Sequence, residues 1–289
     1  VTSRGAAPVC ARTTALEHPV VLTELLGQPQ TSAWIRGGAG LIGWGAHAIL
    51  RHRGADTFTV AQRWFTEQVA ALDVVDEVRQ PGTGPVAFLS AAFDPKRGES
   101  VFVIPQVVIG SAGPATRAWC TTVGTEVPEL SPSGLYAPVT TDGVAAGAVP
   151  ATGYRNAVAS AVARIGAGHL DKVVLARDVR VHAKTAIDER ALVARLAASY
   201  PDCWAFAVDG MVGATPELLA RVTHGRVYTR ILAGTEWDEG AERADVAYWT
   251  GLESQVPEED HPYGLVLTQH ALGQRVTAIL EVEDGAVTG

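Results

Sequence analysis

Asp209-Gly210 separates two short apolar runs, Trp204–Val208 and 211–213, and a two-residue loop of this kind makes the chain fold back on itself as a hairpin. His224-Gly225 gives a second turn signal before the apolar run that leads into Gly234. Antiparallel pairing therefore organises the C-terminal half. The N-terminal half reads as mixed elements: an extended Trp34-Ile35, short apolar strands over 85–90, 100–104 and 115–123, and a helix over 59–78. In that helix Trp64, Phe65, Val69 and Leu72 fall on one face. Proline and glycine become dense over 131–153, with Ser131-Pro132-Ser133-Gly134 and Thr141-Asp142-Gly143 as turn signals. This marks a boundary between an N-terminal region, 1–150, and a second region, 151–289.

Beyond that boundary Tyr154, Ala157, Val158, Ala161, Val162 and Ile165 keep helical spacing, and Gly166-Ala167-Gly168 closes the helix. A further helix over 188–199 stops before Pro201. From Asp245 the pattern is helical again, interrupted at Pro257 and Pro262, with a last helix over 265–280. The elements sum to an α+β fold of antiparallel sheets flanked by helices.

The 289 residues are 47% apolar and 19% charged, enough for a real core. The longest apolar stretches, such as 101–109, are too short to cross a bilayer and are broken by proline or glycine. No membrane association is expected. The first ten residues lack the basic segment and apolar core of a signal peptide. Cys10, Cys120 and Cys203 are scattered without CxxC spacing, which argues against a disulfide framework or a zinc site and fits a reducing cytoplasm. A net charge of −8 with no basic run speaks against nucleic acid and toward a small-molecule ligand.

The segment 170–177, Leu-Asp-Lys-Val-Val-Leu-Ala-Arg, carries the chemistry of most interest. Period-two alternation puts Leu170, Lys172, Val174 and Ala176 on one face of a strand and Asp171, Val173, Leu175 and Arg177 on the other. An amine among apolar neighbours is drawn toward its neutral form, which can accept a proton, whereas a carboxyl in such surroundings tends to keep one. The chain has only three lysines, Lys96, Lys172 and Lys184, among 23 basic residues. Arginine, charged at all accessible pH, cannot do the work of a base. Gly213-Ala214-Thr215-Pro216-Glu217-Leu218-Leu219 supplies a candidate acid downstream, and Ile231-Leu232-Ala233-Gly234-Thr235 a glycine platform.

Gly38-Ala39-Gly40-Leu41-Ile42-Gly43 matches the dinucleotide pattern GxGxxG, with Asp56 downstream. A dinucleotide fold needs the third glycine to open a long helix. Here Trp44-Gly45 follow at once and 46–50 read as a second strand, so a glycine-rich hairpin is expected instead of a nicotinamide site.

The ordered set Lys-Val-Val-Leu-Ala-Arg at 172–177, Ala-Thr-Pro-Glu-Leu-Leu at 214–219 and Leu-Ala-Gly-Thr at 232–235 resembles the chorismate-utilising enzymes, most closely the isochorismate synthases. The segment 85–94 and the run Phe102-Val103-Ile104-Pro105 also look like the N-terminal region of that family. The resemblance implies a chorismate-binding, aminodeoxychorismate synthase-like fold and a magnesium-dependent isomerisation in which water adds at C2 of chorismate while the C4 hydroxyl leaves. Lys172 matches the general base and Glu217 the general acid. Ala233, Gly234 and Thr235 match the substrate-binding loop, where a side chain on the glycine would obstruct close approach.

Magnesium, a hard cation preferring oxygen ligands, is implied at a Glu-His pair that in this chain reads Ser254-Gln255-Val256-Pro257-Glu258-Glu259-Asp260-His261. Aspartate replaces glutamate there, making Asp260 the implied ligand and Glu259 its alternative. Glu236-Trp237-Asp238 stand where relatives carry an arginine. Relatives continue past the position of Gly289, so the resemblance also implies a fold incomplete at the C-terminus. It further implies a role feeding menaquinone, siderophore or salicylate-type pathways; the oligomeric state is not read from the sequence, with a monomer favoured. Salicylate synthase, another chorismate-utilising activity and a non-catalytic chorismate-fold protein are the alternatives.

Overall fold

The computed structural model describes residues 8–26, 30–130, 136 and 139–223, and beyond these only short strand segments. By compactness the chain divides into two units, Val1–Pro138 with Asp188–Pro216, and Val139–Ile187 with Glu217–Gly289. In the first unit the elements are β1 (Val9–Ala15), β2 (Ser32–Arg36), β3 (Ala39–Trp44), β4 (Ala48–His52), α1 (Thr57–Ala70), β5 (Leu72–Asp76), β6 (Phe88–Ser90), β7 (Ser100–Ile104), β8 (Val107–Ser111) and β9 (Ala118–Val123). The second unit contributes β10 (Thr141–Ala146), α2 (Ala151–Gly166) and β11 (Val179–Ala183). The chain then rejoins the first unit with α3 (Glu189–Ser199), β12 (Trp204–Val208) and β13 (Met211–Thr215), and returns to the second with β14 (Leu218–Thr223) and β15 (Arg226–Arg230). The fold is α+β.

An eight-stranded sheet in the order β13-β12-β2-β3-β8-β9-β1-β5 forms the first unit, accompanied by a three-stranded sheet, β4-β7-β6. Every pair in the large sheet is antiparallel except β1 with β5. Its register aligns one apolar row from strand to strand: Ala207 opposite Ala33, Ala33 opposite Ile42, Ile42 opposite Ile109, and Ile109 opposite Cys120. All five are fully buried. Leu22, Leu25 and Leu26 from the 3-10 turn Leu22–Glu24 and its continuation, together with Val193 of α3, cover this row. Burial also pushes the Cys120 thiol up to about 12, keeping it protonated and inert. All three cysteines are free.

The adjacent row shows the opposite face. There Gly213, Phe206, Trp34, Leu41, Gly110 and Trp119 succeed one another across the strands. Trp34 stacks on Trp204 at 5.1 Å between ring centroids and lies 6.1 Å from Phe206. A Cβ on Gly110 would fall inside the Trp119 ring, so glycine there makes room for the indole, which donates to the Gly82 carbonyl at 3.1 Å.

Several local expectations hold for clear reasons. Asp209 and Gly210 take φ of 49° and 86°, the left-handed pair that a tight hairpin requires, and join β12 to β13. The GxGxxG segment forms the β2–β3 hairpin, turning at Gly37 and Gly38 with φ of 55° and 79°, and β4 follows it. No helix follows the third glycine, so the βαβ context of a dinucleotide site is absent. Asp188 caps α3, accepting from the Arg190 amide at 3.0 Å, and its pairing with the Arg190 guanidinium at 2.8 Å holds the carboxyl below the usual range.

Other expectations need correction. The helix over 59–78 ends at Ala70, and Leu72 opens β5, because Val74 and Val75 pair in parallel with β1 instead of continuing the helix. The strand expected over 170–177 is not formed: 172–178 has no ladder partner among the described residues, and pairing begins only at Val179, where β11 runs antiparallel to β10. The β14–β15 pair brackets His224-Gly225, residues that lie outside the described ones. Most of the helical stretches expected beyond Asp245 also lie outside. The described positions there, Ala247–Tyr248, Ser254–Gln255, His270–Ala271 and Gln274–Arg275, are short strands.

Ile109 is fully buried in this row, so Ile109→Ala should lower unfolding stability by about 2–5 kcal/mol in urea titrations. A loss below about 1 kcal/mol would mean that the row does not carry the sheet.

Candidate functional site

The segment that carries Lys172 is fastened to α2 from one side. The Tyr154 hydroxyl donates to the Leu175 carbonyl at 3.2 Å, and the Arg177 guanidinium lies 5.9 Å from the centre of the Tyr154 ring. One residue further, the Asp178 carboxylate accepts from the Ala148 amide at 2.8 Å and its carbonyl accepts from the Gly147 amide at 3.3 Å. These contacts explain the exposure pattern of the segment. Leu175 is half-buried, whereas the rest of 172–178, Lys172 included, is exposed, Val174 by 80%.

Lys172 is thus not enclosed by apolar side chains, contrary to the expectation from its neighbours in sequence. Alternation decides which residues share a face, but desolvation needs a covering layer, and none of the described residues supplies one. Glu217 is half-buried between β13 and β14 and belongs, with Lys172, to the second unit. Ala233 lies in a two-residue strand opposite Ala247. Gly234, Thr235, Glu259 and Asp260 lie outside the described residues.

Two cavities occur in the first unit. One, of about 210 Å³, is lined by residues that include Leu22, Ile35, Arg36, Ala197 and Cys203, and the other, of about 390 Å³, by residues that include Leu16, His18, Glu24 and Leu130. Neither is lined by Lys172 or Glu217. Among the described residues no group of three or more His, Cys, Asp or Glu could hold a metal ion. No helix among them is long and apolar enough to cross a membrane.

Residues 134–261 match the family described as chorismate binding enzyme. That stretch, rather less than half of the chain, is similar to the chorismate-binding enzymes. That matched stretch contains Lys172, Glu217, Ala233 to Thr235, Glu259 and Asp260, every residue singled out for the site. A provisionally named isochorismate synthase of Aeromonas hydrophila is 35% identical over 89 residues, covering 29% of this chain and 22% of that protein. Among solved structures, MenF, the menaquinone-specific isochorismate synthase from Escherichia coli, superposes with a TM-score of 0.53 at 20% identity, covering 80% of this chain and 56% of its own. DhbC from Bacillus anthracis, titled as a 2,3-dihydroxybenzoate-specific isochorismate synthase, gives a TM-score of 0.49 at 20% identity over 74% of this chain and 52% of its own. The likeness to MenF establishes the chorismate-binding fold. The chain spans about a fifth of the curated relative and just over half of each solved one.

Sequence spacing put Tyr154 on the apolar side of α2 and did not reveal its hydroxyl contact. The available signal was the residue type, since a tyrosine on a packed face keeps its O–H bonded where phenylalanine would suffice for packing.

With all three lysines exposed, amine acylation followed by mass spectrometry should modify Lys172 at a rate comparable to Lys96 and Lys184. Selective protection of Lys172 would contradict the geometry described for this segment.

Proposed function

We propose that this chain is the chorismate-binding part of an isochorismate synthase that isomerises chorismate to isochorismate. What carries the reading is that one family match, 134–261, spans the base, acid, loop and metal candidates together. In the proposed reaction the Lys172 amine takes a proton from water as the water oxygen bonds to C2. The ring double bonds migrate, and Glu217 gives a proton to the C4 hydroxyl, which departs as water. One water enters and one leaves, so substrate and product are isomers. Ala233, Gly234 and Thr235 would present backbone groups to the substrate, with no side chain at Gly234 to block its approach.

The exposed face of the lysine segment suits a ligand of this kind. Val174 and Ala176, exposed close to Lys172 in the chain, offer an apolar bed to a cyclohexadiene ring, and a bound ring would itself cover the amine. Magnesium, held through the carboxylate of Asp260 or Glu259, would act as a Lewis acid toward the substrate carboxylate. The proton transfers assigned here run through the side chains of Lys172 and Glu217.

Incubating the purified chain with chorismate and magnesium and separating products by chromatography tests the reading. Isochorismate should form, and Lys172→Ala should lower kcat roughly a hundred- to ten-thousand-fold with the fold intact by circular dichroism, the usual loss when a general base is removed. Salicylate and pyruvate as products would favour the salicylate synthase reading. Turnover unchanged in Lys172→Ala, or none in the unaltered chain, would remove the assignment of Lys172.

A further inference from the structure

We propose that Tyr154 is a positioning residue for Lys172, clamping the lysine segment to α2 so that the amine is held in place for the substrate. The inference rests on the reading of Lys172 as the base. Two contacts carry it. The hydroxyl of Tyr154 holds the Leu175 carbonyl at 3.2 Å, three residues beyond the lysine, and its ring lies beneath the Arg177 guanidinium at 5.9 Å. The two contacts hold the segment against α2 at the Leu175 carbonyl and the Arg177 side chain, and so limit where Lys172, three residues before the anchored carbonyl, can lie. Leu175 is half-buried and the rest of 172–178 is exposed, Val174 by 80%.

The clamp matters because the segment has little else to hold it. From 172 to 178 no ladder partner is present among the described residues, and the next fixed point is Asp178, tied to the Gly147 and Ala148 amides. A catalytic amine displaced by about 1 Å can cost a hundredfold in rate, so a carbonyl anchor three residues away acts on geometry and not on charge. It should leave substrate affinity nearly untouched.

Tyr154→Phe keeps the ring, the arginine contact and the helix, and removes only the donor. In the full-length chain, hydrogen exchange read by mass spectrometry should accelerate across 172–178 while α2 stays unchanged. Turnover of chorismate should lose about two- to tenfold in kcat with KM altered less than about twofold, the size expected for one neutral hydrogen bond acting through geometry. Unchanged exchange over 172–178 would overturn the clamp. Faster exchange with kcat intact, or a lowered melting temperature without the kcat effect, would reduce Tyr154 to a structural residue and overturn its positioning role. If the unaltered chain converts no chorismate yet exchange responds to Tyr154→Phe, the clamp stands and the failure belongs to Lys172 as base.

Discussion

The buried row Ala207, Ala33, Ile42, Ile109 and Cys120 is the constraint on which the rest depends. It draws on strands from both ends of the first unit, and it is covered by leucines that follow β1 and by Val193 of α3. Its small members, Ala33 and Ala207, stand where the β12 hairpin joins β2, so residues 188–216 are bound into the N-terminal sheet through close apolar contact. A row of this kind is the unit of sheet stabilisation, because facing side chains across each ladder pack together and fix the register. A slip of one residue would exchange this row for the aromatic one that contains Trp34 and Phe206.

The second unit is built differently. Its described part has the two-stranded ladder of β10 with β11, the antiparallel pair β14–β15, and a helix whose apolar positions Val158, Val162 and Ile165 are exposed. A two-stranded ladder buries too little by itself to specify a structure, so around β10 and β11 polar contacts take on the work of fixing local geometry. Asp178 on the Gly147-Ala148 amides and Tyr154 on Leu175 are those contacts. They fall on the very segment whose sequence first drew attention to a catalytic amine.

Much of the fold was legible because it rests on local rules. The Asp209-Gly210 hairpin, the end of α2 at its glycines and the Asp188 start of α3 each follow from backbone preferences of one or two residues. The glycine-rich hairpin at 37–43 was legible for the same reason, once the lack of a following helix was weighed. What was not legible depends on partners distant in sequence. Leu72 left its helix because β1 was available as a parallel neighbour, and Lys172 stayed exposed because its apolar neighbours could not announce whether anything covers them. The candidate site residues were singled out by motif order, a property of the whole set that no single residue displays.

The central claim is that water enters at C2 as the C4 hydroxyl departs. Running the reaction in water enriched in oxygen-18 and weighing the product tests it most directly. The account predicts isochorismate carrying one heavy oxygen, at C2. Isochorismate formed without heavy oxygen would mean that the original hydroxyl migrated across the ring, and the roles given to Lys172 and Glu217 would then be wrong.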